Sequence, residues 1–104
     1  MKNNMDKIHS LLGLAMRAGK LVSGEDATIL DLKKGKLNLV IVATDASNNT
    51  KKLFNDKSSF RKVNCVELST KNDLGISIGK DSRAVIGIKD IGFAKKIIQL
   101  MDNK

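Results

Sequence analysis

The feature that most constrains the fold is an uninterrupted apolar run at residues 39–43, LVIVA, which directly follows Asn38. A strand with one face in solvent alternates apolar and polar residues, whereas a continuous β-branched run is typical of a strand buried on both faces. Such a strand needs helices above and below it. The sequence therefore predicts a central sheet that is covered on both sides.

Segments with helical spacing alternate with short strand-like segments along the rest of the chain. Strands are predicted at residues 20–23, 38–43, 64–68 and 83–88, and helices at residues 8–18, 24–34, 50–60, 70–78 and 90–101. Because the intervening segments are long enough to cross the sheet, the order αβαβαβαβα predicts an α/β fold. We expect a three-layer α/β/α sandwich in which a four-stranded mixed sheet has helices on both faces.

Local signals mark several helix boundaries. Ser23 is predicted to cap the second helix, and Thr70, with Asp73 three residues later, the fourth. Asp90 is expected to cap the last helix in the same way. Asp45 follows the buried strand without a histidine, a lysine pair or a second carboxylate nearby, so a structural cap is its expected role.

The charge of the chain points to a polyanionic partner. Lysine and arginine number 19 against 11 aspartates and glutamates, a formal net charge of +8, and a globular domain this basic is typical of nucleic-acid binding. Readers of single strands stack bases on aromatic platforms. The aromatic residues here are three phenylalanines, Phe54, Phe60 and Phe93, which are spaced for the core. We therefore expect contacts to the backbone and to base edges instead of stacking.

The composition removes several other classes of protein. One cysteine, Cys65, excludes an intrachain disulfide and multi-cysteine zinc sites, and one histidine, His9, removes histidine-pair metal sites. We expect no cofactor and no metal. The first ten residues lack the apolar segment of a signal peptide, and no apolar run approaches the ~20 residues of a membrane helix. A soluble cytoplasmic protein of one domain, residues 1–104, is expected.

The first candidate site is the turn Ser23, Gly24, Glu25 and Asp26, where a strand leads into a helix N-terminus. Backbone N–H groups and the positive end of the helix dipole can receive a phosphate there, and Gly24 permits close approach. The carboxylates of Glu25 and Asp26 would repel a phosphate but can accept hydrogen bonds from guanine or cytosine amino groups. A capped helix with solvated acidic residues is the alternative interpretation.

Further candidates flank this turn or lie before the last strand. Lys20, Lys33 and Lys34 add positive charge beside the turn, although lysines near a helix C-terminus are often only solvated. The loop formed by Gly79, Lys80, Ser82 and Arg83 offers a cationic clamp for a nucleic-acid backbone, or is an ordinary polar turn. Whether this loop shares a sheet edge with Gly24 depends on the strand order, which residue spacing does not give.

Several runs of the sequence together resemble a known family. The runs are LLGLAMRAGKLVSGEDA, GKLNLVIVATDAS followed by NNTKK, NDLGISIGKDSR and IGFAKKI. They are similar to the bacterial YlxQ-type ribosomal proteins, which belong to the kink-turn RNA-binding ribosomal proteins of the L-seven-Ae and L-thirty-e group. The resemblance extends from about residue 5 to residue 98. It implies an α/β/α sandwich that binds structured RNA, with ribosomal RNA or the ribosome as partner, without catalysis.

The resemblance also assigns positions to the RNA contacts. The wider superfamily carries a Gly-x-Asn-Glu-x-x-Lys signature at the start of its second helix. Here Gly24 agrees, whereas Asp26, Ala27 and Leu30 replace the Asn, the Glu and the Lys. The loop before the last strand forms the other side of the RNA cleft in that family, which implies that residues 79–83 face the Gly24 turn. Ala27 lacks the acceptor of the signature Glu, and Leu30 lacks the positive charge of the signature Lys. We therefore expect a weaker preference for kink-turns, with the charge-driven affinity for RNA retained.

Two other functions remain as alternatives. The chain could be a protein-interaction or scaffold module whose basic charge gives general polyanion affinity. It could also be an enzyme that uses Glu25, Asp26 and Asp45, but no nucleophile, base and orienting group occur together, so catalysis is not expected. The preferred hypothesis is a monomeric RNA-binding protein.

Overall fold

The computed structural model describes residues 4–102, which form five helices and four strands in strict alternation. The elements are α1 Asn4–Arg17, β1 Leu21–Ser23, α2 Glu25–Lys33, β2 Leu39–Val42, α3 Asn48–Phe60, β3 Asn64–Glu67, α4 Lys71–Ser77, β4 Val85–Ile88 and α5 Ile91–Asp102. The predicted order αβαβαβαβα is confirmed. The observed ends differ from the predicted ones by a few residues, chiefly at α1, which begins four residues earlier.

The strands form one mixed sheet in the order β1-β4-β2-β3. Strand β4 is antiparallel to both β1 and β2, whereas β2 and β3 are parallel. All four residues of β2 and all four of β4 are buried. The prediction that the apolar run after Asn38 is a strand buried on both faces is therefore confirmed.

Helices cover both faces of the sheet, as expected for a three-layer α/β/α sandwich. Helix α1 packs against α4 and α5 in one layer, and α2 packs against α3 in the other. Both α2 and α5 contact β4. The buried side chains of the two helical layers, such as Leu12 and Ile97 on one side and Leu32 and Phe54 on the other, belong to the same hydrophobic cluster as the strands.

Three predicted caps are confirmed. Thr70 Oγ1 accepts a hydrogen bond from the Asp73 N–H at 3.1 Å, and Asp90 Oδ2 accepts one from the Phe93 N–H at 2.9 Å. Asp45 Oδ1 accepts from the Lys71 N–H at 2.8 Å. A side chain from the loop after β2 therefore ties down the start of α4.

Two predictions about individual residues are wrong. Gly24, with φ +93°, caps α2 in place of Ser23, and no side chain caps this helix. Phe60 is 81% exposed instead of lying in the core. The buried face of α3 carries Phe54 and Ser58, and at about 100° per residue Phe60 lies roughly 200° around the helix from Ser58.

Within residues 4–102, no helix has the length and apolar character needed to cross a membrane. Over the same residues, no group of three or more histidine, cysteine or acidic side chains is placed to hold a metal ion.

Candidate nucleic-acid interface

The strand order brings the two candidate loops to one edge of the sheet. Strands β1 and β4 are antiparallel neighbours in which Ser23 lies opposite Ile86. The end of β1 therefore lies beside the start of β4, and the Gly24 N–H donates to the Val85 carbonyl at 3.0 Å. The Gly24 turn and the loop that ends at Arg83 therefore share one edge of the sheet, which residue spacing alone did not determine.

The Arg83 side chain bridges the two loops. Its Nε donates to Ser23 Oγ at 3.2 Å, and its Nη1 donates to the carbonyl oxygens of Asp81 at 3.2 Å and Ser82 at 3.1 Å. These acceptors are neutral, and none of the ion pairs within the described residues involves Arg83. The guanidinium is therefore held in place while its positive charge stays unneutralised.

A cleft of about 490 Å³ opens between these loops and the start of α3. Ser23, Gly24, Glu25, Ala46, Ser47, Thr50, Lys71, Ser82, Arg83 and Ala84 line it. Helix α2 begins here without a side-chain cap, so the N–H groups of its first turn, at the positive end of the helix dipole, face no competing side-chain acceptor. Lys71 and Arg83 add two cations. Uncapped donors and two cations make the cleft suited to an anion.

Glu25 introduces a carboxylate into this basic cleft. Its Oε1 accepts a hydrogen bond from Thr50 Oγ1 at 3.2 Å, and the Thr50 N–H in turn donates to Ser47 Oγ at 3.1 Å. The carboxylate is thus tied to the start of α3. It remains exposed to solvent and can still accept a second hydrogen bond.

The position of the Arg83 loop depends on a close backbone contact with α4. A Cβ atom on Gly75 would lie 2.2 Å from the Asp81 carbonyl oxygen and 2.9 Å from the Ser82 Cα. The Lys80 N–H also donates to the Gly75 carbonyl at 2.9 Å. The absence of a side chain at Gly75 therefore lets the loop rest directly on the helix.

The structure gathers only part of the predicted site. Five of the predicted residues line the cleft: Ser23, Gly24, Glu25, Ser82 and Arg83. Gly79 and Lys80 belong to the same loop but do not line it, and Asp26 lines a neighbouring groove between α2 and α3 instead.

The remaining predicted lysines lie away from the cleft. Lys20 precedes β1 at the opposite end of the strand, where its carbonyl accepts from the Lys89 N–H at 2.8 Å. Lys33 and Lys34 lie at the C-terminal end of α2, about 12 Å along the helix from Glu25. These three residues therefore do not contribute to the cleft.

Three residues that line the cleft were not predicted: Ser47, which caps α3, Thr50 in the first turn of α3, and Lys71 at the start of α4. A signal for all three was present in the sequence. Ser47 and Thr50 follow strand β2, Lys71 follows the parallel strand β3, and side chains just beyond the carboxyl ends of strands often form sites in open α/β sheets. The Asp45 cap that holds the start of α4 is a tertiary contact, which the sequence does not show.

His9 and Cys65 lie outside the cleft, each packed against neighbouring elements of the fold. His9 Nε2 is 2.7 Å from Ser69 Oγ, so the ring is part of the packing between α1 and the loop after β3. Burial raises the pKa of the Cys65 thiol above its ordinary value of 9.0, the neighbouring Ser58 hydroxyl offsets part of this shift, and the Glu67 carboxylate adds to it. Neither residue lines the cleft.

The sequence model of the ribosomal protein L7Ae/L30e/S12e/Gadd45 family matches residues 6–98 of this chain. The chain belongs to this family. The predicted resemblance to the kink-turn RNA-binding ribosomal proteins is thereby confirmed. The RNA-binding protein YlxQ of Enterococcus faecium is 50% identical over 101 residues, which cover 97% of each chain. The RNA-binding protein YlxQ of Bacillus subtilis is 46% identical over 92 residues, 88% of this chain and 92% of the relative.

A solved structure supports the fold of this L7Ae-family chain. A protein of unknown function from Bacillus halodurans C superposes with a TM-score of 0.90 at 40% identity, covering 93% of this chain and 98% of that one. The match extends over nearly all of both chains. The four-stranded sheet and both helical layers are therefore shared with that protein.

Proposed function

We propose that this L7Ae-family protein binds structured RNA of the kink-turn type through the cleft between the Gly24 turn and the Arg83 loop. The observation that carries the proposal is the Arg83 guanidinium, which is fixed beside Ser23 at the uncapped start of α2 and forms no ion pair with a carboxylate among residues 4–102. A fixed, unneutralised cation beside free helix donors is an arrangement that favours the binding of phosphate groups. The printed names of the two YlxQ relatives agree with an RNA ligand.

The cleft combines two kinds of RNA contact. Arg83 and Lys71 are suited to phosphate oxygens, which set affinity and orientation but carry no sequence information. Glu25 in the cleft and Asp26 beside it are acceptors, which are suited to exposed amino groups of guanine, cytosine or adenine. We infer that the cations supply most of the affinity and the acidic turn supplies the selectivity.

The departures from the family signature lower the expected preference for kinked RNA. Ala27 and Leu30 stand where an acceptor and a cation are expected, and both are exposed on α2. A good bidentate base contact contributes about 1–3 kcal/mol of discrimination. We therefore propose a broader range of RNA ligands than the complete signature would allow.

We further propose ribosomal RNA as the ligand class, in the cytoplasm, because the family is one of ribosomal proteins. The proposed binding unit is a monomer formed by the single domain of residues 1–104. Its role is binding without catalysis. Lys33 and Lys34 are then supporting contacts at a distance from the cleft, and Gly79 and Lys80 shape and charge the loop that carries Arg83.

The test compares the affinities of two variants for a kinked RNA duplex and for a straight duplex of the same composition. Arg83→Ala removes the fixed cation, and Lys95→Ala is the matched control, because Lys95 is an exposed cation on α5 in the opposite layer. We expect Arg83→Ala to weaken binding of the kinked duplex about tenfold, whereas Lys95→Ala changes it little.

Equal effects of the two variants on RNA affinity would contradict the proposal that RNA binds in the cleft. They would favour a scaffold with general polyanion affinity. Binding to heparin would distinguish these cases further, because a scaffold would hold heparin and the kinked duplex equally well.

A further inference from the structure

The end of α3 presents the most exposed aromatic ring of residues 4–102. Phe60 is 81% exposed, whereas Phe54 is fully buried and Phe93 packs against the core. The Arg61 guanidinium lies 5.7 Å from the centre of the Phe60 ring, within the range of a cation–π contact. Arg61 Nη1 also donates to the Lys33 carbonyl at 2.8 Å, which ties this end of α3 to the end of α2.

Six cations lie at or just beyond the ends of α2 and α3, which the hydrogen bond from Arg61 to Lys33 joins. We call them the basic end: Lys33, Lys34, Lys36, Lys57, Arg61 and Lys62, all of which are exposed. None of the ion pairs within the described residues involves a member of the basic end. The carboxylates of Asp31 and Asp56 are engaged elsewhere, with Lys89 at 3.6 Å and with Lys52 at 3.1 Å. The ends of α2 and α3 next to Phe60 therefore carry a net positive charge.

A groove connects the basic end to the proposed RNA cleft. It runs between α2 and α3 and has a volume of about 510 Å³. Glu25 and Asp26 line one end, Lys33 and Lys57 line the other, and the apolar side chains of Ile29, Leu30 and Leu53 lie between them. Glu25 lines both the cleft and the groove. Helix α3 extends for about 18 Å from the cleft to Phe60, which is roughly the length of five stacked nucleotides.

We propose that the basic end is a second RNA contact, at which an unpaired nucleotide stacks on Phe60 while its flanking phosphates engage Arg61 and the neighbouring lysines. The proposal rests on the proposed function and extends it. An exposed aromatic ring among cations is the arrangement by which single-stranded RNA is held with little sequence preference. The cations outside any ion pair, together with the continuity of the groove with the proposed RNA cleft, favour RNA over a protein segment as the occupant.

The test uses a kinked RNA duplex with and without a single-stranded extension of about eight adenosines, which at about 3.4 Å per stacked nucleotide is long enough to reach from the cleft past Phe60. The extension is placed on the 5′ end in one RNA and on the 3′ end in another. Phe60→Ala is expected to weaken binding of at least one extended RNA about tenfold and to leave the plain duplex unaffected.

A spectroscopic measurement reports the stacking directly. The chain contains no tryptophan and no tyrosine, so Phe60→Trp introduces a single strong fluorophore. We expect the extended RNA to quench its emission. Leu14→Trp is the control, because Leu14 is 47% exposed on α1, in the opposite layer from α3, and its fluorophore should remain unquenched.

The outcomes separate this inference from the proposed function. The second RNA contact is wrong if Phe60→Ala binds every RNA like the unmodified chain and the emission of Phe60→Trp is not quenched. If Arg83→Ala still weakens binding in that case, the proposal that RNA binds in the cleft is retained. Failure of the unmodified chain to bind any of these RNAs would overturn both. Loss of a bound protein from nuclease-treated Phe60→Ala preparations, with unchanged RNA affinity, would also overturn RNA as the occupant.

Discussion

Replacing Gly75 by alanine tests whether the Arg83 loop is held by direct contact with α4. The added Cβ would lie 2.2 Å from the Asp81 carbonyl oxygen and 2.6 Å from its carbonyl carbon. Because an ordinary carbon–oxygen contact is about 3.3–3.6 Å, the loop would have to retreat by roughly 1 Å. The obstructing atoms belong to the backbone, so no side-chain rotation can relieve the clash.

Two opposing effects determine how much Gly75→Ala changes the free energy of unfolding. Overfilling a packed site costs about 1–3 kcal/mol, whereas alanine in a helix is favoured over glycine by about 0.5–1 kcal/mol. We expect the free energy of unfolding to fall by about 1–2 kcal/mol. A displaced loop would also lengthen the 3.2 Å hydrogen bond between Arg83 and Ser23. The RNA affinity should then fall by up to about tenfold, the loss expected when the Arg83 side chain is removed altogether.

Urea denaturation and thermal unfolding, followed by circular dichroism, measure the stability of Gly75→Ala. The urea midpoint should fall without a change in slope, and Tm should drop by about 4–8 °C for each kcal/mol lost. Asn72→Ala is the control, because Asn72 is an exposed residue of the same helix. Unchanged Tm and unchanged RNA affinity for Gly75→Ala would refute the argument that this glycine positions the loop.

Three further predictions concern salt, capping and pH. The logarithm of RNA affinity should fall linearly with the logarithm of salt concentration, and Arg83→Ala should make that slope shallower by about one; an unchanged slope would exclude a phosphate contact. Asp45→Ala removes the acceptor for the Lys71 N–H and should cost about 0.5–2 kcal/mol in urea denaturation, whereas Asp56→Ala, which breaks an exposed ion pair, should cost less. Because the folded pKa of Cys65 is raised above 9.0, its contribution to stability is complete below that pH and is lost as the pH rises further; Cys65→Ser should remove this loss.

Helix boundaries that depend on neighbouring residues were readable from the sequence. Thr70 with Asp73, and Asp90 with Phe93, form their caps over three residues of chain, so the spacing alone specifies them. Ser23 carried the same signal and did not form a cap. Its hydroxyl accepts from Arg83, 60 residues away, and a contact at that separation leaves no local trace in the sequence.

The exposure of Phe60 shows that the sequence pattern did not specify which face of α3 packs on the sheet. A phenylalanine near the end of an amphipathic helix is most simply assigned to the core, and Phe54 satisfies that expectation. The face of α3 that packs on the sheet is set by where Phe54 and Ser58 are buried, and Phe60 lies on the other side. Composition alone suggested that no ring was available for stacking, whereas the rotation of one helix leaves this ring in solvent.

The sequence by itself determined the alternation of helices and strands, the burial of the central strand and the excess of positive charge. These properties follow from periodicity, local capping and composition, which are encoded within short stretches of chain. The tertiary structure alone decided which charges act together. The placement of β4 between β1 and β2 brings Arg83 to Ser23, and the Asp45 cap brings Lys71 to the same cleft, whereas Lys20 lies at the far end of β1. Strand order depends on the packing of the whole sheet, so no local pattern specifies it.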